Sequence, residues 1–183
     1  IALFILAVKY YKEKKNFQFL IRMNQNNIVD YANGSDVIVT AGTNGTGNNP
    51  MTVNATTLDI GETLNFDGNN STGSLTINAG AGADSLDGGT VNDIINGGSG
   101  ADVIDGQENS ATTGADNISG GSGNDTINIS SAETEFSNSS TTALVTDTID
   151  GGAGRDTLAF GAGATATLSR AELVNISNIE VLS

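Results

Sequence analysis

Buried-type aliphatic residues recur along the second half of the chain, each two positions after an aspartate. A glycine-rich stretch precedes each pair, which gives a nine-residue repeat of the form Gly-Gly-x-Gly-x-Asp-x-aliphatic-x. Complete copies begin at Gly97, Gly120 and Gly151, and partial or interrupted copies lie between residues 79 and 159. The aspartates in phase are Asp84, Asp93, Asp102, Asp116, Asp125, Asp147 and Asp156, and the aliphatic residues are Leu86, Ile95, Ile104, Ile118, Ile127, Ile149 and Leu158. An isolated aliphatic residue between polar ones predicts a short strand whose middle side chain points inward.

Short alternating segments without helical periodicity occupy residues 24–78. Apolar and polar positions alternate at 36–40, 51–55, 58–60, 63–66 and 74–78, and turns rich in Gly and Asn separate these segments. This alternation is typical of half-buried strands. Strands and tight turns at a regular step predict the coils of a solenoid, each burying its aliphatic residues against the next.

The last residues differ again from the repeats. Residues 161–167 are small, 169–175 have a capping-box pattern that predicts a short helix, and Ile176, Ile179, Val181 and Leu182 predict one closing strand. We expect 160–183 to form a cap over the last coil, or to end at a truncation point. The predicted organisation is a leader at 1–22, degenerate solenoid coils at 23–78, the repeat region at 79–159 and this cap.

Charge separates the leader from the body. Residues 1–22 hold five basic residues and one acid, whereas 23–183 hold two basic residues and twenty acids, within a total of −14. Because position 1 is not Met and Met23 marks the change in composition, the hypothesis is that 1–22 is a non-native or flexible leader. The alternative is the tail of a membrane or export segment. An acidic body disfavours nucleic acid and anionic lipid and favours cations as partners.

Composition also excludes several kinds of chemistry. The chain has no Cys and no His, so it contains neither a disulfide nor a thiolate or histidine site. No acid/base or nucleophile motif was found, which predicts that these residues are not an enzyme. Stacked coils would place equivalent aspartates about 4.8 Å apart, where two carboxylates repel by roughly 3–4 kcal/mol at an effective dielectric near 20. A hard cation with oxygen ligands would relieve this repulsion, and Ca²⁺ suits it well.

The nonapeptide resembles the repeat of the RTX (repeats-in-toxin) family. This resemblance implies an all-β, right-handed parallel β-roll with two repeats per coil and several Ca²⁺ ions between stacked turns. Asp84, Asp102 and Asp125 would then share one edge, and Asp93 and Asp116 the other. The order beyond Asp125 stays open, because 129–146 reads as a long loop or as a degenerate coil plus a loop. The resemblance implies that the metal ligands are the seven aspartates above and carbonyls of Gly80, Gly82, Gly97, Gly98, Gly100, Gly120, Gly121, Gly123, Gly151, Gly152 and Gly154.

Departures from the repeat are expected to weaken particular metal sites. Val91 replaces a turn glycine before Asp93, and a β-branched residue disfavours positive φ. The insertion around 107–110 is expected to loop out. Outward-facing Asp87, Asp105 and Asp150 are expected to be solvated, and Asp36 belongs to half a repeat.

The family resemblance also implies a role. It implies type I secretion, folding driven by extracellular calcium, and a structural or adhesive segment of a bacterial cell-surface protein, such as an S-layer protein or adhesin, with lattice self-association. The alternative is the secretion and folding module of an RTX protease, lipase or epimerase. An ice- or polymer-binding solenoid is disfavoured, because the outward strand positions mix Ser, Ile, Val, Asn and Thr. Membrane insertion is not expected.

Overall fold

Short parallel strands separated by turns make up the described chain. The computed structural model describes residues 19–23, 28–29, 37–41, 50–106, 114–129, 147–160 and 175–183. The strands are β1 Phe19–Met23, β2 Ile28–Val29, β3 Val37–Ala41, β4 Met51–Asn54, β5 Leu64–Asp67, β6 Leu75–Asn78, β7 Ser85–Asp87, β8 Ile94–Ser99, β9 Val103–Asp105, β10 Asn117–Ser122, β11 Thr126–Ile129, β12 Thr148–Ala153, β13 Thr157–Phe160, β14 Ile176–Ser177 and β15 Val181–Leu182.

The strands alternate between two parallel sheets. The odd-numbered strands form an eight-stranded sheet in sequence order, and the even-numbered strands form a seven-stranded sheet. Each strand therefore pairs with the strand two places along the chain, as β7 does with β9 and β9 with β11. One coil consists of two strands and two turns. The predicted all-β parallel β-roll with two repeats per coil is confirmed.

The space between the sheets is filled by the aliphatic residues of the repeat. All seven predicted residues are buried, with at most 2% of each side chain exposed: Leu86, Ile95, Ile104, Ile118, Ile127, Ile149 and Leu158. They lie in register, since Leu86 pairs with Ile104 and Ile104 with Ile127. Each repeat thus contributes one aliphatic residue to a narrow core.

The coil just before residue 79 buries more apolar side chains per strand than the repeat coils do. Strands β5 and β6 each direct two apolar side chains inward, Leu64 with Phe66 and Leu75 with Ile77. In the sheet register, Leu64 stands where the next coil has Asp84, and Leu75 where it has Asp93. Apolar side chains in the first coils are therefore replaced by aspartates in the repeat coils.

Two predicted strands are wrong. Residues 58–60 lie in the turn between β4 and β5. Leu58 is buried beneath the next turn, while Ile60 is 88% exposed. The predicted closing strand is two strands, β14 and β15, which join opposite sheets. The chain crosses between them at Asn178, whose φ is 53°.

Other predictions concern residues outside the described part of the chain. These are the helix at 169–175 except its last residue, the insertion around 107–110, Asp36, and the leader apart from its last four residues, which lie in β1. Among the described residues, no helix has the length and apolar character needed to cross a bilayer.

Candidate metal sites

Four of the predicted aspartates form a hydrogen-bonded ladder along one edge of the roll. This first edge consists of the turns that lead from the seven-stranded to the eight-stranded sheet. The amide of Asp84 donates to Oδ1 of Asp102 at 2.8 Å, the amide of Asp102 to Oδ1 of Asp125 at 2.9 Å, and the amide of Asp125 to Oδ1 of Asp156 at 2.8 Å. Each carboxylate therefore ties its coil to the coil before it.

The other three aspartates form an equivalent ladder on the second edge, where the chain returns to the seven-stranded sheet. The amide of Asp93 donates to Oδ1 of Asp116 at 2.7 Å, and the amide of Asp116 to Oδ1 of Asp147 at 2.8 Å. The predicted edge partners are thus observed. The order left open beyond Asp125 is also decided, because β12 pairs directly with β10 and β13 with β11.

Both ladders begin on a leucine, and the first one ends on a glutamate. Leu64 donates its amide to Oδ1 of Asp84 at 2.7 Å, and Leu75 to Oδ1 of Asp93 at 2.7 Å. At the other end, the amide of Asp156 donates to Oε2 of Glu180 at 2.8 Å. Sequence reasoning missed Glu180, although it precedes Leu182 by two positions, as each aspartate precedes its aliphatic residue.

The complete glycine-rich turns all lie on the first edge. Six of the predicted ligand glycines have φ between 97° and 150°, namely Gly98, Gly100, Gly121, Gly123, Gly152 and Gly154. The turns also stack too closely for a side chain, because a Cβ on Gly123 would collide with the carbonyl oxygen of Gly100, and one on Gly154 with that of Gly123. Only glycine meets both requirements. Of the other predicted ligand glycines, Gly97, Gly120 and Gly151 lie in the same three turns, and Gly80 and Gly82 lie in the turn before Asp84.

Each of the three complete glycine-rich turns holds a buried oxygen without a hydrogen-bond partner. The Oδ2 atoms of Asp102, Asp125 and Asp156 are buried and have no such partner, and at most 1% of each residue is exposed. Such groups are rare in folded proteins, since an unsatisfied charged oxygen is costly. A bound cation would satisfy them.

Carbonyl oxygens of adjacent turns approach the same space. A Cβ placed on Gly97 would lie 2.5 Å from both Oδ2 of Asp102 and the carbonyl oxygen of Gly120. At Gly120 the same position faces Oδ2 of Asp125 and the carbonyl oxygen of Gly151. Carboxylate and carbonyl oxygens are the ligands that Ca²⁺ takes, so the residues present fit this ion.

Burial destabilises the charged form of these aspartates. Desolvation raises the pKa of Asp102 to about 7, and the carboxylates of Asp84 and Asp125 add to this, while the hydrogen bond from the amide of Asp84 opposes it. Desolvation likewise raises the pKa of Asp84 to about 6, and it also raises the pKa values of Asp125 and Asp147. A positive charge nearby would therefore stabilise the ionised form of these carboxylates.

Side chains alone do not enclose a metal in the described residues. No group of three or more Asp, Glu, His or Cys side chains in these residues is arranged to hold an ion. The ladder explains this, because successive carboxylates are each directed to a backbone amide. An ion at the turns would need backbone carbonyls to complete its coordination, as the resemblance implied.

A further acidic column runs along the outside of the eight-stranded sheet. Asp67, Asp87 and Asp105 are in register on β5, β7 and β9. They are half-buried, as is Asp150. Desolvation, followed by the charges of Asp105 and Asp67, raises the pKa of Asp87 to about 6.

Comparison with known families identifies the repeat. Residues 78–109, 110–128 and 146–165 match the family described as RTX calcium-binding nonapeptide repeat (4 copies). No curated protein and no solved structure gave a significant match.

Proposed function

The repeat region of this chain consists of RTX calcium-binding nonapeptide repeats, and from this premise we propose that calcium binding drives the chain to fold outside the cell. The coarse activity, a calcium-binding repeat module that is structural rather than catalytic, follows from the family. The proposal adds which groups bind calcium and states that calcium binding is coupled to folding. Aspartates and turn carbonyls hold Ca²⁺ between stacked turns, and at neutral pH the roll forms only when the ion is present.

The buried oxygen atoms are the observation that carries this proposal. Three aspartate Oδ2 atoms on the first edge are buried without a hydrogen-bond partner. Without metal, each of these charges lies next to the aspartates of the adjacent coils, which are 18 to 31 residues away in sequence. The glycines of the turns also lose more backbone entropy on ordering than any other residue. Both costs oppose folding of the metal-free chain, so the binding free energy becomes folding free energy.

Calcium concentration favours an extracellular setting. Extracellular calcium modules bind at about 10⁻⁴–10⁻³ M, so such a chain would stay unfolded in the cytosol and fold after export. This supports type I secretion and a structural or adhesive role at a bacterial cell surface, such as an S-layer protein or adhesin. Protease treatment of intact source cells would test it, since the repeat region should be cleaved when calcium is chelated and resist cleavage when calcium is present.

Far-UV circular dichroism of the full chain tests the coupling. The metal-free protein is titrated with CaCl₂, then in parallel with MgCl₂, and EGTA is added at the end. We expect a coil-to-β transition at submillimolar to millimolar calcium that magnesium does not produce and EGTA reverses. A chain that is equally β-rich in EGTA would refute the coupling while leaving calcium binding itself to be measured by equilibrium dialysis.

A further inference from the structure

Five of the seven aspartate turns of the roll fall into two kinds. In turns 79–84 and 88–93 the amide of the second residue donates to the aspartate of the same turn. Gly80 donates to Oδ2 of Asp84 at 3.3 Å, and Gly89 donates to Oδ2 of Asp93 at 2.6 Å. We call these two the closed turns, because both carboxylate oxygens are already taken by backbone amides.

The three complete copies of the repeat lack this hydrogen bond. In turns 97–102, 120–125 and 151–156 the second and fourth residues are glycines at positive φ, and Oδ2 of the aspartate has no hydrogen-bond partner. We call these the open turns. All three lie on the first edge, where they stack directly on one another.

The residues in and beneath each closed turn account for the difference. Val91 occupies the fourth position of turn 88–93, where a β-branched residue disfavours positive φ. Turn 79–84 rests on the apolar turn below it, where a Cβ on Gly80 would lie 2.7 Å from Cβ of Leu58. Neither Gly80 nor Gly82 has positive φ. The amide of the second residue then points toward the aspartate.

We propose that calcium binds at the open turns and that the closed turns do not take it. Resting on the proposed function, this assigns the ions to Asp102, Asp125 and Asp156. It makes Asp84 and Asp93 structural residues, although both are aspartates of the repeat. An amide proton and a cation cannot occupy the same side of one carboxylate oxygen. The closed turns would have to break a hydrogen bond before binding.

Isosteric substitutions separate the two kinds of turn. Asp→Asn retains Oδ1, which accepts the hydrogen bond of the ladder, and replaces only Oδ2. The full chain and its D102N, D125N, D84N and D93N variants are saturated with calcium, and the bound ions are counted by native mass spectrometry. D102N and D125N should each bind fewer ions than the wild type, whereas D84N and D93N should bind the same number.

The outcomes distinguish this inference from the proposed function. Loss of an ion in D84N or D93N, or full occupancy in both D102N and D125N, overturns the assignment while calcium binding stands. A wild type that binds no calcium overturns both. If a variant fails to fold, amide exchange of the calcium-loaded wild type gives the answer. The Gly80 and Gly89 amides should exchange slowly, and rapid exchange of both would mean that the closed turns had opened.

Discussion

The amide of Asp156 donates a hydrogen bond to Oε2 of Glu180 at 2.8 Å. Glu180 therefore does for the last repeat what Asp156 does for Asp125, and the ladder of the first edge ends on a longer carboxylate. The register agrees, since Thr157 pairs with Val181 and Leu158 with Leu182. The path before Glu180 is shorter than in a repeat, because Glu180 follows Ile176 by four positions, whereas Asp156 follows Ile149, the register partner of Ile176, by seven. A glutamate can reach across this shorter path.

Loss of the Glu180 carboxylate should loosen the end of the roll. We expect E180A to lower the free energy of unfolding in saturating calcium by about 1–3 kcal/mol, because it leaves the amide of the fully buried Asp156 without its acceptor. Urea unfolding followed by circular dichroism measures this. E180Q keeps an acceptor oxygen and should recover most of the loss. If E180Q were as unstable as E180A, charge rather than the hydrogen bond would be responsible.

The stacked glycines should tolerate no side chain. Gly123 has φ of 138°, and a Cβ there would collide with the backbone carbonyl of Gly100. G123A therefore combines backbone strain of about 1–3 kcal/mol with a steric clash that backbone atoms cannot relieve. We expect it to raise the calcium concentration needed for folding at least severalfold.

Gly61 provides the matched control for that substitution. Its φ is 95°, but a Cβ there would have no atom within 4 Å. G61A should therefore cost only the backbone strain, and its calcium midpoint should stay closer to that of the wild type. Equal midpoints for G61A and G123A would contradict the close stacking of the turns.

The single aliphatic residue of each repeat should carry much of the stability. Ile104 is fully buried between Leu86 and Ile127, so I104A should cost about 2–5 kcal/mol in saturating calcium. The neighbouring Val103 is 44% exposed, and V103A should change stability by no more than about 0.5 kcal/mol. Thermal unfolding of both variants at one calcium concentration makes the comparison. Similar losses would mean that the two strand faces are not distinguished as the structure shows.

Much of the repeat region could be predicted because its pattern is local. The spacing of Asp102 and Ile104 predicts one turn followed by one strand, and the repetition of this pattern predicts how the coils stack. The strand order beyond Asp125 could not be predicted, since it depends on which sheet the chain rejoins after a long tract. The strand predicted at 58–60 is wrong because an alternation over three residues does not distinguish a strand from a turn with one buried residue.

The difference between open and closed turns also lay beyond the sequence. Val91 marks turn 88–93 as unusual, but Gly80 and Gly82 look regular in turn 79–84. The conformation of that turn depends on Leu58, which belongs to the coil beneath it. A repeat motif describes one coil, whereas metal sites between coils depend on two.

Acidity should partly replace calcium in stabilising the metal-free roll. The folded-state pKa values of Asp84 and Asp87 are raised to about 6 and that of Asp102 to about 7, above the usual 3.8. The folded chain therefore binds protons more tightly than the unfolded chain. This contribution to stability is complete below the unfolded pKa of 3.8 and is lost as pH rises through about 6 to 7. In metal-free buffer, circular dichroism should show more β structure at pH 4.5 than at pH 7.5.

Calcium should reverse this dependence, because it binds the ionised carboxylates. The calcium midpoint is therefore expected to rise as pH falls from 7.5 to 5.5. D87N is the control, since Asp87 belongs to the outward column and not to either ladder. It should weaken the pH dependence of the metal-free chain while leaving the calcium midpoint at pH 7.5 nearly unchanged. A metal-free chain that is most folded at pH 7.5 would show that the buried carboxylates do not control its folding.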